Sequence, residues 1–199
     1  MVSGGGTNLQ ALIDGAADGR LEGAKLVLVI SSKSGAYALE RARKAGINTA
    51  VIEKSDYPGE PEKTNEILRA LKEANTDLVV LAGYMSILDE RVCSAYKDRI
   101  INIHPALLPR HGGVGYYGLR VHRAVLAAGD KETGATVHYV DEGGVDTGRI
   151  ILQRSIKVRA DDTPESLQKR VLEEVEHPLI IEAANIVARK LNADRTDTF

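Results

Sequence analysis

The chain has 199 residues and is 43% hydrophobic, enough to bury one substantial core, and we predict a single domain over residues 1–199. Its formal net charge of −2 gives no reason to expect a nucleic-acid-binding surface, and no apolar run approaches the roughly 20 residues of a membrane span. The single cysteine, Cys93, cannot form an internal disulfide, and no signal peptide is visible, which together favour a cytoplasmic protein.

A glycine-rich turn at residues 3–8 leads into a helix whose apolar residues recur at helical spacing. Thr7 or Asn8 is placed to cap that helix, and the free N–H groups of such a helix start favour an anion. We interpret the turn as a phosphate cradle, with an ordinary strand-to-helix turn as the alternative. The strand that should precede it has only about three residues, against about 5–6 in a usual strand, so we expect either a stub or a chain that has lost residues at its start.

Strands and helices alternate along the following part of the chain. Short apolar segments predict strands at residues 25–31, 49–52, 77–82 and 100–103. Helical periodicity predicts helices at residues 36–45, 63–74, 87–96 and 119–128. Such alternation is typical of right-handed βαβ units, which build a mostly parallel sheet.

The pattern changes in the last third of the chain. Residues 134–140 alternate between apolar and polar, and a glycine-rich connection joins them to a second extended segment at residues 149–158. These segments predict an antiparallel or mixed edge on the sheet. A long helix should begin at Pro164, with Pro178 as a candidate break, before a polar, frayed tail at residues 192–199. The predicted fold is α/β, a Rossmann-like three-layer sandwich.

The residues best suited to chemistry follow the apolar run at residues 100–103. Asn102 and His104 lie two apart on a strand, so they point to the same side, which faces the ligand crevice at the carboxyl end of a parallel strand. An imidazole there can move protons, and an amide can donate to an oxygen that gains negative charge. Asp146, in the glycine-rich connection, is a candidate to hold the imidazole. The alternative is a histidine and an asparagine that only tie down a loop.

The remaining candidates are weaker. The other histidines, at positions 111, 122, 138 and 177, are interpreted as structural or peripheral. No serine or cysteine has the context of a nucleophile, because no G-x-S-x-G elbow is present. A phosphate turn, a histidine with an acid and no protein nucleophile indicate direct group transfer between two bound substrates.

Several segments together resemble the phosphoribosylglycinamide formyltransferase family over nearly the whole chain. The strongest are N-I-H-P and L-L-P within residues 102–109, G-A-T-V-H-Y-V at 134–140 and D-T-G at 146–148. A-G-Y-M at 82–85 and E-H at 176–177 support them. The resemblance implies transfer of a formyl group from the co-substrate 10-formyltetrahydrofolate to the amine of glycinamide ribonucleotide in purine biosynthesis. It implies no metal and no nucleic-acid or membrane partner, and it leaves a homodimer open.

The resemblance also implies roles for two halves of the formyltransferase fold and for single residues. Residues 1–100 would bind the ribonucleotide phosphate, and residues 101–199 would carry catalysis and folate binding. Asn102 would stabilise the oxyanion, His104 would shuttle the proton, and Asp146 would orient and charge His104. The positions that match ribonucleotide contacts are Gly5, Gly6, Thr7, Asn8, Gly83, Pro105 and Glu176. The positions that match folate contacts are Met85, Ser86, Ile87, Leu88, Asn102, Asp141, Glu142, Gly143, Gly144 and Asp146.

The departures from the family pattern concern the folate. The loop after Arg110 is longer than in many members, and the connection before Asp146 has one glycine more than usual. Ser86 stands where arginine is often found, so we expect weaker recognition of the folate glutamate tail. The alternatives are a deformylase or a tRNA formyltransferase, each of which would carry a further domain. A non-catalytic nucleotide-binding module or metabolite sensor would instead bind its ligand without turnover.

Overall fold

The computed structural model describes residues 1–196, and residues 197–199 lie outside that part. Helices and strands alternate as predicted. The helices are α1 (Thr7–Ala17), α2 (Tyr37–Lys44), α3 (Glu60–Glu73), α4 (Glu90–Ala95), α5 (Leu119–Ala127), α6 (Pro164–Arg170) and α7 (His177–Thr196), with a 3₁₀ turn at Lys54–Asp56 and a π-helical turn at Val171–Glu176. The strands are β1 (Leu28–Ser31), β2 (Asn48–Val51), β3 (Val79–Leu81), β4 (Ile100–His104), β5 (Glu132–Tyr139) and β6 (Ile150–Lys157).

The first residues of the chain complete the sheet. β1 pairs in parallel with β2, and β3 pairs in parallel with β4. Between these pairs, the Val2 N–H donates to the Ile30 carbonyl and the Ala82 N–H donates to the Met1 carbonyl, each over 2.9 Å. β5 pairs antiparallel with β4, and β6 with β5. The order β2–β1–stub (Met1 and Val2)–β3–β4–β5–β6 confirms a mostly parallel sheet with an antiparallel edge.

Helices cover both faces of the sheet. Ile101 and Ile103 of β4 pack into one core with residues of α1, α6 and α7. Ile100, on the opposite face, packs into a second core with residues of α3 and α4. Cys93 is buried in this second core as a small apolar residue. The alternation of side chains along β4 therefore confirms the predicted three-layer α/β sandwich.

Two predicted boundaries shift for local reasons. The strand predicted at residues 25–31 begins at Leu28, where its parallel pairing with Asn48 of β2 begins. The helix predicted at residues 87–96 begins at Glu90. Asp89 caps it there, since its carboxylate accepts a hydrogen bond from the Arg91 N–H.

The carboxyl-terminal helical segment continues past Pro178, where the sequence suggested a break. The π-helical turn ends just before α7 begins. Proline has no N–H to donate to the preceding turn of a regular helix, and the widened turn beside it accommodates that loss. α7 also corrects the prediction of a frayed tail at residues 192–196, while residues 197–199 lie outside the described part. In the described part of the chain, no helix is long and apolar enough to cross a membrane.

A groove lies beside the stub, between the amino-terminal ends of β1 and β3. Its volume is about 340 Å³, and apolar side chains such as Leu26, Leu28, Leu78 and Val80 line it. The Met1 amino group donates to the Val80 carbonyl over 2.6 Å. The groove therefore adjoins the first residues of the chain.

Candidate active site

Asn102 and His104 share one face of β4, and β5 adds polar side chains beside them. The strand register places His138 opposite Asn102 and Thr136 opposite His104. The register of β5 against β6 shifts between Val137 and His138, and such a bulge commonly re-aims a side chain next to a functional site. The antiparallel edge of the sheet thus contributes to the candidate site.

Asp146 lies at the centre of this group. Its Oδ1 accepts a hydrogen bond from Asn102 Nδ2 at 3.2 Å and lies 3.4 Å from His138 Nε2. Its Oδ2 lies 3.2 Å from His104 Nδ1 and accepts from the Gly113 N–H at 3.0 Å. Burial raises the pKa of Asp146, but the hydrogen bond with His138 and the interaction with His104 outweigh burial, so the pKa lies below its ordinary value. The carboxylate is therefore charged at neutral pH and binds the amide and both imidazoles.

Both ring nitrogens of His104 have partners. Nδ1 faces Asp146, and Nε2 donates to the His111 carbonyl at 2.7 Å. Burial lowers the pKa of His104 below its ordinary value, while Asp146 acts in the opposite direction. A buried imidazole beside a carboxylate can take up and release a proton near neutral pH, as a general acid–base group must.

His138 belongs to the site, which corrects the prediction that it is peripheral. Its Nδ1 donates to the Tyr139 carbonyl at 2.8 Å, so in the neutral ring Nε2 is free to accept from Asn102 Nδ2 at 3.2 Å. The side chain is 2% exposed. The neutral His138 ring thus holds the Asn102 amide from the neighbouring strand, and Nε2 can donate to Asp146 only in the charged ring. The alternation of apolar and polar residues at 134–140 predicts a strand that contains His138. Only the β4–β5 register shows that His138 lies opposite Asn102.

Thr136 and Gln153, which the sequence did not suggest, fix the loop after His104. The Thr136 hydroxyl donates to the Ala106 carbonyl at 2.7 Å and accepts from the Leu108 N–H at 3.1 Å. Gln153 Nε2 donates to the same hydroxyl oxygen at 2.8 Å and to the Leu108 carbonyl at 3.1 Å. Because Thr136 is fully buried, these hydrogen bonds are shielded from water and hold the loop firmly.

His122 and His177 lie on helices, and their interpretation as structural or peripheral stays a prediction. His122 is fully buried on α5, and burial lowers its pKa to about 4. Burial also lowers the pKa of His177. His111 differs from both, because its backbone carbonyl contacts His104.

The glycine-rich turn ends at the start of α1. Gly6 is the N-cap with φ 71°, and no side chain caps the helix, so the predicted capping by Thr7 or Asn8 is wrong. A Cβ at Gly6 would lie 2.6 Å from the Ala38 Cβ, so glycine is required for both space and conformation. Gly5 is exposed beside the turn, and its carbonyl accepts from Arg41 Nε at 2.8 Å. The first turn of α1 faces no capping side chain, as an anion-binding helix start requires.

Asn8 does not cap α1 because its side chain binds Glu176. Asn8 Nδ2 donates to Glu176 Oε2 at 2.7 Å. Glu176 ends the π-helical turn, a geometry that is frequent at functional sites. Burial raises the pKa of Glu176 to about 7. Asn8 Oδ1 is buried with no hydrogen-bond partner among residues 1–196. Two predicted ribonucleotide positions from opposite ends of the chain therefore meet.

The remaining predicted ribonucleotide positions follow two neighbouring strands. Gly83, with φ 75°, follows β3, and Pro105 follows β4. The Met85 N–H donates to Ser3 Oγ at 2.8 Å, which ties the segment after β3 to the glycine-rich turn. The carboxyl ends of these parallel strands thus lie at one edge of the sheet, where open α/β sheets bind ligands.

The predicted folate positions outside the catalytic group form two neighbouring segments. In the first, Met85 and Ile87 are 50% and 71% exposed, Ser86 is half-buried, and Leu88 packs on the second core. The second is an exposed loop that contains Asp141, Glu142, Gly143 and Gly144. The Ser94 hydroxyl of α4 donates to the Glu142 carboxylate, which ties this loop to the helix that follows the first segment.

These features define a class of protein. A Rossmann-like sheet carries an amide, two imidazoles and a carboxylate in contact, and a glycine-rich helix start lies at its ligand-binding edge. Within residues 1–196, no three His, Cys, Asp or Glu side chains are placed to hold a metal ion. The arrangement is that of a group-transfer enzyme with acid–base chemistry.

The chain belongs to the formyl transferase family, whose sequence profile matches residues 1–184. It is 41% identical over 190 residues to the chloroplastic phosphoribosylglycinamide formyltransferase of Arabidopsis thaliana, and 39% identical over 183 residues to the phosphoribosylglycinamide formyltransferase of Haemophilus influenzae. These matches cover 95% and 91% of the chain. The crystal structure of glycinamide ribonucleotide transformylase 1 from Symbiobacterium toebii superimposes with a TM-score of 0.87 at 41% identity, covering 95% of this chain and 85% of that one. The predicted family and fold are confirmed.

The relatives differ in length. The match spans 64% of the Arabidopsis protein and 83% of the Haemophilus protein. It spans only 12% of a trifunctional purine biosynthetic protein of Drosophila melanogaster, which is 45% identical over 173 residues covering 86% of this chain. The chain thus spans less than two thirds of some relatives that it matches.

Proposed function

We propose that this protein is a phosphoribosylglycinamide formyltransferase, which transfers the formyl group of 10-formyltetrahydrofolate to the amine of glycinamide ribonucleotide in purine biosynthesis. The contact of the Asp146 carboxylate with both Asn102 and His104 carries the proposal. It occurs in a chain 41% and 39% identical to two proteins that bear this name. We place the reaction in the cytoplasm, with the two small molecules as its partners.

In the proposed reaction the substrate amine attacks the formyl carbon directly, so no protein nucleophile is needed. As the new C–N bond forms, the formyl oxygen gains negative charge, and the Asn102 amide donates a hydrogen bond to it. The attacking nitrogen gives its proton to His104, which delivers a proton to the folate nitrogen as the old C–N bond breaks. Asp146 stabilises the imidazolium that exists between the two transfers.

These roles require the substrates to replace protein contacts. Asn102 Nδ2 is bonded to Asp146 and His138, and the His104 ring is bonded to Asp146 and the His111 carbonyl. We propose that the formyl oxygen takes one N–H of Asn102 and that the amine takes Nδ1 of His104, while the Nε2–H stays on the His111 carbonyl. Each exchange replaces one hydrogen bond of the Asn102 or His104 side chain by another.

For the ribonucleotide, we propose that the phosphate binds the first N–H groups of α1, which no side chain caps. The glycinamide group would then reach Gly83, Pro105 and Glu176. The buried, unpaired Asn8 Oδ1 supports this placement, because a ligand N–H would satisfy it. With a pKa of about 7, Glu176 can offer either a carboxylate or a carboxylic acid to the substrate.

For the folate, we propose that the flat face of the pteridine ring covers Met85, Ile87 and Leu88, while the loop at residues 141–144 closes over its other side. The support is the exposure of Met85 and Ile87, since large apolar side chains left uncovered beside a crevice commonly mark a binding site.

The direct test follows the formyl carbon itself. The protein is mixed with ¹³C-formyl-labelled 10-formyltetrahydrofolate and glycinamide ribonucleotide, and the products are observed by NMR. We expect the label on the amine nitrogen of the ribonucleotide, with tetrahydrofolate as the other product. Label released as formate, or label that stays on the folate, would contradict the proposed transfer.

A further inference from the structure

The loop at residues 111–118 contacts both members of the proposed acid–base pair. The His111 carbonyl accepts from His104 Nε2 at 2.7 Å, and the Gly113 N–H donates to Asp146 Oδ2 at 3.0 Å. Both contacts come from backbone groups. The placement of His104 and Asp146 therefore depends on the contacts that hold this loop in its conformation.

The loop is fixed by an ion pair outside the site. His111 Nε2 donates to Asp130 Oδ2 at 2.7 Å, and Arg110 pairs with the same carboxylate. Asp130 lies between α5 and β5, its side chain is 8% exposed, and its N–H donates to the Val125 carbonyl at 3.3 Å. The hydrogen bond with His111 contributes most to holding the pKa of Asp130 below its ordinary value. A charged, well-anchored carboxylate therefore holds the His111 ring.

The backbone of His111 shows why an anchor is needed. Its φ is 54°, in the left-handed region that non-glycine residues adopt only when their surroundings hold them there. Asp130 holds the ring at Nε2, and the Tyr116 ring packs at a tilt with centroids 6.1 Å apart. This conformation allows one residue to bind Asp130 with its side chain and His104 with its carbonyl.

We propose that His111 and Asp130 are positioning residues for the formyl transfer, an inference that rests on the function proposed above. Asp130 fixes the His111 ring, and the His111 carbonyl thereby fixes the Nε2–H of His104 and turns Nδ1 toward Asp146. Loss of the hydrogen bond between Asp130 and His111 moves the His111 carbonyl away from His104. It also lets the Gly113 N–H move away from Asp146. A misplacement of about 1 Å in a catalytic site can cost about a hundredfold in rate.

The kinetic test compares variants at the two ends of the anchor. We expect Asp130→Ala and His111→Ala each to lower kcat about ten- to a hundredfold, with the KM for the ribonucleotide changed less than about threefold. Arg110→Ala removes the other partner of Asp130. Because Arg110 does not contact His104, the kcat of this variant should stay within about twofold of the wild type. His111→Gln keeps a side-chain N–H donor and should recover most of the rate. A kcat for Asp130→Ala equal to that of Arg110→Ala would overturn the proposal.

Two measurements separate positioning from loss of folding. If Asp130→Ala unfolds, Asp130→Asn replaces it and the same expectation holds in direction. The double variant Asp130→Ala/His111→Ala should be no slower than the slower single variant, because both changes break one path. Additive rate losses in the double variant would show independent effects and would also overturn the proposal.

A spectroscopic test does not depend on turnover. The ¹⁵N resonances of the His104 ring report which nitrogen carries the proton, and they are followed against pH because Asp146, His138, His122 and His111 also face or lie near His104. We expect Nε2–H in the wild type and a mixture of tautomers, with a shifted titration, in Asp130→Ala. Unchanged His104 resonances would overturn the positioning role. A changed spectrum in a protein that transfers no formyl group would refute the proposed function while supporting the positioning role.

Discussion

Asn8 and Glu176 are 168 positions apart in sequence, and the Asn8 amide donates to the Glu176 carboxylate over 2.7 Å. This hydrogen bond joins the helix start that is the candidate phosphate site to the π-helical turn. Among residues 1–196, the hydrogen-bond partners of this buried carboxyl group include no cation, and burial raises the pKa of Glu176 to about 7.

Glu176→Gln is expected to remove the part of the pH dependence of stability that comes from the Glu176 carboxyl group. The carboxyl pKa is 4.5 in a model compound and about 7 in the fold, so the folded state binds more protons between these values. The contribution of Glu176 to the free energy of unfolding therefore falls as pH rises through this window, by at most about 3 kcal/mol. Glutamine cannot ionise, so the variant should lose less stability between about pH 5 and about pH 8 in urea unfolding.

Glu165→Gln, at an exposed position in the first turn of α6, is the control for removing one negative charge. It should retain the pH dependence of the wild type. An identical dependence in Glu176→Gln would show that another group titrates in this window.

Ser86→Arg is expected to strengthen recognition of the folate glutamate tail. Ser86 lies between exposed Met85 and Ile87, and it supplies no charge for a carboxylate. One exposed ion pair contributes about 1 kcal/mol or less, so the KM for a polyglutamylated folate should fall about two- to fivefold. The KM for the monoglutamate should change less, and Ser86→Ala should resemble the wild type. Equal effects of arginine on both folates would contradict a tail contact.

Four apolar residues added ahead of Met1 are expected to raise the melting temperature by several degrees. They would extend the stub into the groove of about 340 Å³ between β1 and β3 and bury apolar surface there. The matched control is an extension of four serines, which has the same length but cannot favourably fill an apolar groove. No gain from the apolar extension over the serine extension would show that the stub suffices.

The same extensions test how the Met1 amino group affects the pH dependence of stability. Burial lowers its pKa from 8.0 to about 5 in the fold, so the unfolded state binds more protons between these values. This group therefore adds stability as pH rises from about 5 to about 8 and removes it as pH falls. Either extension moves the amine away, so this part of the pH dependence should weaken in thermal melts. Unchanged dependence would show that the amine is already solvated.

Much of the fold could be predicted from the sequence because apolar patterning and turn residues indicate the same elements along the chain. The alternation of strands with helices predicts the parallel part of the sheet, and the spacing of Asn102 and His104 predicts their shared face. The predicted boundaries are wrong where tertiary contacts set the end of an element. β1 begins only where its pairing with β2 begins, and Pro178 is accommodated by a π-helical turn that no residue pattern predicts.

The candidate site was readable only in part. Asn102, His104 and Asp146 stand out by residue type and context, but His138 joins them through an antiparallel register and a bulge. Thr136 acts through hydrogen bonds to a loop backbone, and His111 acts through its own carbonyl. Backbone contacts of this kind depend on loop conformation, which the sequence does not determine locally.

The most direct test of the whole account measures 10-formyltetrahydrofolate consumption by absorbance, with and without glycinamide ribonucleotide, for the wild type, His104→Ala and Asp146→Ala. We predict that the wild type consumes the folate only when the ribonucleotide is present. Each variant should lose about 10²–10⁴-fold in turnover, the usual contribution of an acid–base group. Near-normal turnover in either variant would remove that residue from the mechanism. Consumption without the ribonucleotide, or no consumption at all by the wild type, would contradict the account.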